Sequence, residues 1–231
     1  MQSFVARGQR QARGTRGTFD TRGTFYDRAG IVHRLDKETS GILLIAKNPE
    51  VFESLQRQFK ERLVKKVYVA LAHGKIAPET GEINVPVGRL PWNRERFGII
   101  PGGRESVTKY KVLGYHRYHG QKELKARDTR GTRGALDTLG ETLTLLELYP
   151  QSGRTHQIRV HLKYLDHPIY SDYLYAGRKT ARNDRKVLPR VFLHAGKISF
   201  QHPKTGETAS FESILPIELQ NFLNELSKRT G

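Results

Sequence analysis

Apolar and polar residues follow two rhythms along this chain, and the switches between them mark out its elements. ILLIAK at 42–47 is a short apolar run and reads as a buried strand. Asn48, Pro49 and Glu50 follow as cap, first-turn proline and first-turn acid, so a helix is expected to begin there. Val51, Phe52, Leu55 and Phe59 would share one face of that helix. KVYVALAHG at 66–74 reads as a strand. SVTKYKVLGY at 106–115 alternates with period two, Val107, Lys109, Lys111 and Leu113 falling on one side. TLTLLELYP at 142–150 is a further strand. RTHQIRVHLKYL at 154–165 changes to helical spacing, with Thr155 as its cap and Ile158, Leu162 and Leu165 on one stripe. FLHAGKISFQHP and ETASFESILP read as two strands joined by a hairpin at PKTGE, with Gly206 in the turn. A last helix, 216–229, carries Leu219, Phe222, Leu223 and Leu226. Strands that succeed one another with few helices between them predict an α+β fold with a mainly antiparallel mixed sheet and flanking helices.

Two segments have neither rhythm. Residues 1–29 repeat RGT at Arg13, Arg16 and Arg22, and a related stretch, ARDTRGTRGALDTLGET, starts at Ala126. The first is expected to be a low-complexity basic N-terminal segment. The second is expected to be a flexible insertion, 126–141, within a domain running 30–231. Both compositions favour solvated loops.

Charge narrows the partners. The chain has 231 residues, the size of one ordinary domain, and 40 Lys+Arg stand against 23 Asp+Glu for a net charge of +17. Such an excess repels itself and calls for a polyanion, with RNA or DNA ahead of a membrane surface. The sequence has no apolar run of about 18 residues that could span a bilayer. The first residues lack the apolar core of a secretory signal. There are no cysteines, which excludes disulfides, thiolate zinc sites and cysteine nucleophiles. The expected address is cytoplasmic. Nine histidines include no H-E-x-x-H pair, so no metal site is expected, and the phosphate-loop, dinucleotide and serine-elbow motifs are absent.

Two clusters could carry chemistry. In His33-Arg34-Leu35-Asp36-Lys37-Glu38-Thr39-Ser40-Gly41, Asp36 sits among cations, which favours an ionised carboxylate suited to nucleophile or base work. Gly41 would allow a tight turn into the following strand. An exposed loop with local ion pairs would look the same. In Ser152-Gly153-Arg154-Thr155-His156-Gln157-Ile158-Arg159, Arg154 and His156 stand at a helix start that attracts anions. A basic outer face on an amphipathic helix is the alternative. Tyr68, flanked by Lys65 and Lys66, could stack on a base or simply pack in a sheet.

Taken in order, HRLDKETSG, a strand, KVYVAL about thirty residues on, SGRTHQIRVHL and LHA…TGE resemble the RluA family of RNA pseudouridine synthases over roughly 30–226. The resemblance implies the pseudouridine synthase catalytic fold with a central RNA-binding cleft, and isomerisation of uridine in RNA without metal or cofactor. It implies Asp36 as the catalytic aspartate, Arg154 as the arginine that pairs with it, and Tyr68 as the active-site tyrosine that stacks on the target base. His33, Arg34, Lys37, His156, Gln157 and Arg159 are the expected RNA contacts, and Leu35 and Ile158 the expected apolar lining. HRLDKETSGILLIAK is closer to members that act on large-subunit ribosomal RNA than to those acting on transfer RNA, and a monomer is expected. A catalytically inactive RNA-binding module and a ribosome-associated structural protein are the competing classes.

The sequence also departs from the family. The N-K-P-A/S-G-type segment usual ahead of HRLD is not seen, nor an S4 RNA-binding domain, so the chain is expected to be a catalytic domain lacking its first portion. Where the family often has glycine before the aspartate of Tyr170-Ser171-Asp172-Tyr173-Leu174-Tyr175, this chain has Ser171. Ala176 likewise replaces a glycine, with Gly177 one place later. This stretch reads as loop variation of little chemical weight.

Overall fold

A computed structural model describes residues 23–118 and 141–228. The expectations for 1–22 and for 126–140 lie outside the described residues. Nine strands and four helices are seen in that part: β1 (Ser40–Gly41), α1 (Pro49–Lys60), β2 (Lys65–His73), β3 (Thr80–Asn84), β4 (Val87–Leu90), β5 (Asn93–Ile99), β6 (Val107–Tyr118), β7 (Glu141–Pro150), α2 (Gln157–Tyr164), α3 (Arg178–Asp184), β8 (Leu193–Gln201), β9 (Thr208–Glu212) and α4 (Ile217–Lys228).

The main sheet runs β1-β8-β2-β7-β6-β3, with β9 also on β8, and β4 and β5 form a separate hairpin. Every pairing is antiparallel except β1 with β8. The α+β architecture expected from the order of strands is therefore the one observed. β2 lies at the centre because Ala70, Leu71 and Ala72 are apolar in succession and can be buried on both faces; all three are fully buried. β6 shows the alternation read from its sequence, Thr108, Tyr110 and Val112 inward against exposed Lys109, Lys111 and Leu113. Ile158 and Leu162 of α2 and Leu219, Phe222 and Leu226 of α4 close the main core over the sheet. Each large apolar side chain so buried contributes about 2 kcal/mol.

Asn48 caps α1 as expected, its side chain accepting the Val51 N–H at 2.9 Å, with Pro49 in the first turn. Phe52 and Leu55 bury into a second cluster with Val64, Ile198 and Phe200. The hairpin between β8 and β9 turns through Gly206 at φ 74°.

Three expectations need correction. ILLIAK is not a buried strand. Only Ser40–Gly41 pair with β8, and Leu43 and Ile45 stay exposed, because this segment runs along the outer edge of the sheet. Residues 23–29 are part of the packed structure. Phe25 meets Phe52 edge-on at 6.0 Å and Arg28 is buried, so the boundary at 29/30 is drawn too late. Thr155 does not cap α2. The cap position belongs to His156, whose backbone is left-handed at φ 56° and whose side chain makes no cap hydrogen bond.

Candidate active site

The first motif is a loop held from several directions. The Asp36 carbonyl accepts the Thr39 N–H at 3.0 Å, closing a turn that carries the carboxylate. Glu38 takes both terminal nitrogens of Arg185, at 2.8 and 2.9 Å, and its carbonyl accepts from Arg190 at 3.1 Å. Gly41 has φ 115°, and a Cβ there would stand 2.2 Å from the Ala195 carbonyl oxygen. Only glycine lets the loop join β8 this closely, which is the tight turn its sequence suggested.

The second motif is fixed by one side chain. The Gln157 amide oxygen accepts from Ser152 Oγ at 2.7 Å and from the Arg154 N–H at 3.0 Å, while its nitrogen donates to the Val107 carbonyl and to Thr108 Oγ1, both at 3.0 Å. All four hydrogen-bonding positions of the amide are used internally. Gln157 is 4% exposed and organises the Ser152–Arg154 loop, so it is not free to contact RNA as expected.

Between the two motifs lies a cleft open to solvent. Leu35, Asp36, Tyr68, Arg154, Ile158 and Arg159 all line it, so the structure does gather the expected catalytic and apolar residues. Tyr68 reaches it from β2 at a shift of register against β8 between Val67 and Tyr68, a device that re-aims a side chain. Burial, and then the neighbouring Asp36 charge, push the Tyr68 hydroxyl well above its ordinary pKa. It therefore stays protonated.

The partner of Asp36 is not the arginine the resemblance implied. Arg159 Nη1 lies 3.3 Å from Asp36 Oδ2, whereas Arg154 turns its Nε toward the Glu105 carbonyl at 3.4 Å. Arg159 is itself locked. Its Nε and Nη2 reach the two oxygens of Asp172 at 2.7 and 2.8 Å, a fork-to-fork pair. Asp172 is fully buried and also accepts the Leu174 and Tyr175 N–H groups. The Arg159 guanidinium lies 5.1 Å from the centre of the Tyr175 ring. Burial disfavours its charge, but the Asp172 hydrogen bonds and the Asp172 and Asp36 charges outweigh that and raise its pKa. Arg154 instead stands in a cationic setting. Its burial and the repulsion of Arg104 and Arg62 both lower its pKa. The two arginines have exchanged the environments expected for them: Arg159 is buried against carboxylates, not free for phosphate.

His156 is the remaining neighbour, its Nε2 4.0 Å from Asp36 Oδ2. Its Nδ1 meets the Tyr175 hydroxyl at 2.9 Å, and that hydroxyl accepts the Phe97 N–H at 3.0 Å. With the Tyr175 hydroxyl donating to Nδ1, the proton of a neutral imidazole would sit on Nε2, toward Asp36. Burial lowers the pKa of His156; Asp36 opposes that and Arg159 adds to it, which keeps the ring mostly neutral near pH 7. His33 behaves differently from expectation. Its Nε2 accepts the Leu44 N–H at 2.9 Å, its ring stacks on Phe59, and burial with the Lys66 charge depresses its pKa to about 4. It is a neutral structural acceptor and offers no cation to RNA. Arg34 lines the cleft and is exposed; Lys37 is exposed on the turn but does not line the cleft.

Sequence reasoning passed over Asp172, Tyr175 and Lys66. An acid among Tyr170, Tyr173 and Tyr175 was the available signal, because a carboxylate buried beside aromatics needs a cation. Ser171, where the family often has glycine, is left-handed at φ 64° and buried, which is the physical reason for glycine there. Lys66 lines the cleft with its Nζ donating to the Ser152 carbonyl at 3.3 Å, and burial lowers its pKa to about 8. No group of three or more metal-ligating side chains gathers among the described residues. None of the described helices is long and apolar enough to cross a membrane.

Comparison with known proteins shows what the chain is similar to. An uncharacterized RNA pseudouridine synthase of Chloroflexus aurantiacus is 39% identical over 204 residues, 88% of this chain and 55% of that protein. The ribosomal large subunit pseudouridine synthase D of Neisseria meningitidis serogroup B is 37% identical over 211 residues, 88% of this chain and 50% of its own. The solved structure of human RNA pseudouridylate synthase domain containing 1 superposes with a TM-score of 0.63 at 30% identity, over 83% of this chain and 72% of that one. The chain thus spans about half the length of the curated relatives it matches. Residues 6–164, more than half of the chain, match the family described as RNA pseudouridylate synthase, and the chain belongs to that family.

Proposed function

We propose that this chain isomerises uridine to pseudouridine in structured RNA, with large-subunit ribosomal RNA as the substrate class and Asp36 as the group that acts on the nucleotide. The observation that carries the reading is the line Asp172–Arg159–Asp36. A buried carboxylate fixes a guanidinium by two hydrogen bonds, and the guanidinium's third nitrogen is left to hold the cleft carboxylate at 3.3 Å.

The reaction breaks the bond between the ribose C1′ and N1 of uracil, turns the base, and joins C1′ to C5. The C5 proton is lost and N1 gains one, so substrate and product are isomers and no co-reactant enters. Asp36 adds to the sugar or the base, or removes the 2′ proton; each route begins with an ionised carboxylate in this position. The detached base must not escape, so the enclosure by Tyr68, Leu35 and Ile158 matters as much as the nucleophile. Tyr68 offers a flat face for stacking, and its raised pKa keeps it a neutral hydrogen-bond donor. A uridine within a stack cannot reach Asp36 and has to be turned out of it. Arg34 and Arg154 at the cleft supply cations for the flanking phosphates. In this reading the working unit is one chain acting without a metal, and its compartment is the cytoplasm.

The test is chemical mapping of pseudouridine in unmodified ribosomal and transfer RNA transcripts treated with the purified chain. New sites in the large-subunit transcript are the expected result. Sites confined to transfer RNA would replace the substrate class. Binding to both pools without any new site would make the chain an inactive RNA-binding module.

A further inference from the structure

The nine residues from 178 to 186, RKTARNDRK, hold five cations and one acid. Arg178, Lys179, Arg182 and Arg185 fall within an arc of about 120° when each residue turns the helix by about 100°. Lys186 follows in the turn that ends it. The opposite side buries Ala181 and Asp184. Asp184 is consumed there, accepting from His73 Nε2 at 2.9 Å and from the Ser171 N–H at 3.1 Å. Among the described residues no carboxylate is paired with Arg178, Lys179, Arg182 or Lys186.

This stripe works against its own helix. α3 has no acid in its first turn, and two cations stand there instead, at the positive end of the helix dipole. Arg178 and Arg182 are like charges four apart, which further destabilises a helix. The fold keeps α3 through its buried side and through the Arg185 pair with Glu38, so the outward charge of Arg178, Lys179, Arg182 and Lys186 has no structural purpose. It suits a polyanion lying across the surface.

The position of the stripe identifies that polyanion. Arg185, at its inner margin, grips Glu38 in the loop that presents Asp36, and its guanidinium lies 5.4 Å from the centre of the half-exposed Tyr173 ring. Arg159 approaches the same ring at 6.0 Å. The stripe therefore begins at the rim of the cleft. We propose that α3 is a second RNA-docking surface, one that holds the sugar-phosphate backbone of the strand flanking the target uridine. This rests on the reading of the cleft as a uridine-isomerising site, but its test does not need catalysis.

The experiment compares the whole chain with Lys179→Glu/Arg182→Glu and with Arg57→Glu/Lys60→Glu, which changes the net charge equally on exposed positions of α1. Binding to an unmodified large-subunit ribosomal RNA transcript is measured from 50 to 250 mM KCl, and tritium release is measured on the same RNA. The α3 variant is expected to bind about tenfold more weakly at 150 mM, with a log–log salt slope shallower by roughly 1.5. Its kcat at saturating RNA should be unchanged and its melting temperature no lower. The α1 variant should lose much less affinity. Equal losses in the two variants, or no loss in the α3 variant, would overturn the proposal. A wild-type chain that binds through α3 but releases no tritium would instead overturn the catalytic reading and leave the docking surface standing.

Discussion

Arg159 and Arg154 stand five residues apart in one motif and have opposite surroundings, so their substitutions should split cleanly. Arg159→Lys keeps the positive charge but cannot hold both Asp172 oxygens and Asp36 together. It should lower kcat about 100-fold with little change in KM. Arg154→Gln should raise KM for RNA and leave kcat within a few-fold. Steady-state kinetics on one transcript checks both, and the reverse pattern would restore Arg154 as the partner of Asp36. Arg159→Met is a harsher change, because it strands the fully buried Asp172 charge, at a cost of about 3–5 kcal/mol in stability. The sequence did carry a cue. Arg159 lies between Ile158 and Val160 on a helix whose residues 157–162 are all buried, and an arginine so placed requires an acid. Which acid was not legible, because Asp36 and Asp172 lie 123 and 13 residues away. Asp36 stood out through the resemblance that HRLDKETSG carries, because in local sequence alone a carboxylate among His33, Arg34 and Lys37 fits an exposed loop with ion pairs as well. His33 in that same cluster misled, since nothing nearby shows that its ring accepts the Leu44 N–H.

At the scale of elements, caps and periodicity carried over well, and edges did not. Asn48-Pro49-Glu50 set the start of α1 by local chemistry, which needs no tertiary information. ILLIAK was misread because apolar content does not reveal whether a segment lies inside a sheet or along its margin. The turn ahead of it depends on Gly41. Gly41→Ala would force Cβ to 2.2 Å from the Ala195 carbonyl in a left-handed backbone, so a loss of roughly 3 kcal/mol or more is expected in urea unfolding. An unchanged midpoint would show that the loop can move away from β8. The junction of β2, β7 and α3 makes a pH prediction. His73 lies between Glu141 at 2.5 Å and Asp184 at 2.9 Å. Burial disfavours its charge, but the two carboxylates prevail and raise its pKa from 6.5 to about 9. A raised pKa means that the folded state holds the proton more tightly. The stabilisation is therefore complete below about pH 6.5 and disappears as pH rises through about 9. Allowing for the half-exposed Glu141, it amounts to about 2 kcal/mol. Urea midpoints at pH 6.5 and 10 should fall by more in the wild type than in His73→Gln, and parallel falls would contradict the assignment.

For the whole molecule, the order of strands was enough to predict an antiparallel α+β sheet, but not how the chain assembles its cleft. Asp36 comes from a loop beside β8, Tyr68 from the central β2, Arg159 from α2, and Asp172 from the loop before α3. They meet because β8 and β7 flank β2 while α2 packs on the main core. The hairpin of β4 and β5, absent from any sequence expectation, reaches the same site. Phe97 supports Tyr175 and packs edge-on against His156, and Arg96 donates to the Leu174 carbonyl. The net charge of +17 pointed to a polyanion without saying where it would lie, since composition has no geometry. The account as a whole stands on Asp36 being the acting group in that cleft. The most direct measurement is tritium release from large-subunit ribosomal RNA labelled at C5 of uridine, by the wild-type chain and by Asp36→Asn, with RNA binding measured alongside. Release by the wild type, none by Asp36→Asn, and similar binding by both is the predicted result. Release that survives in Asp36→Asn would contradict it.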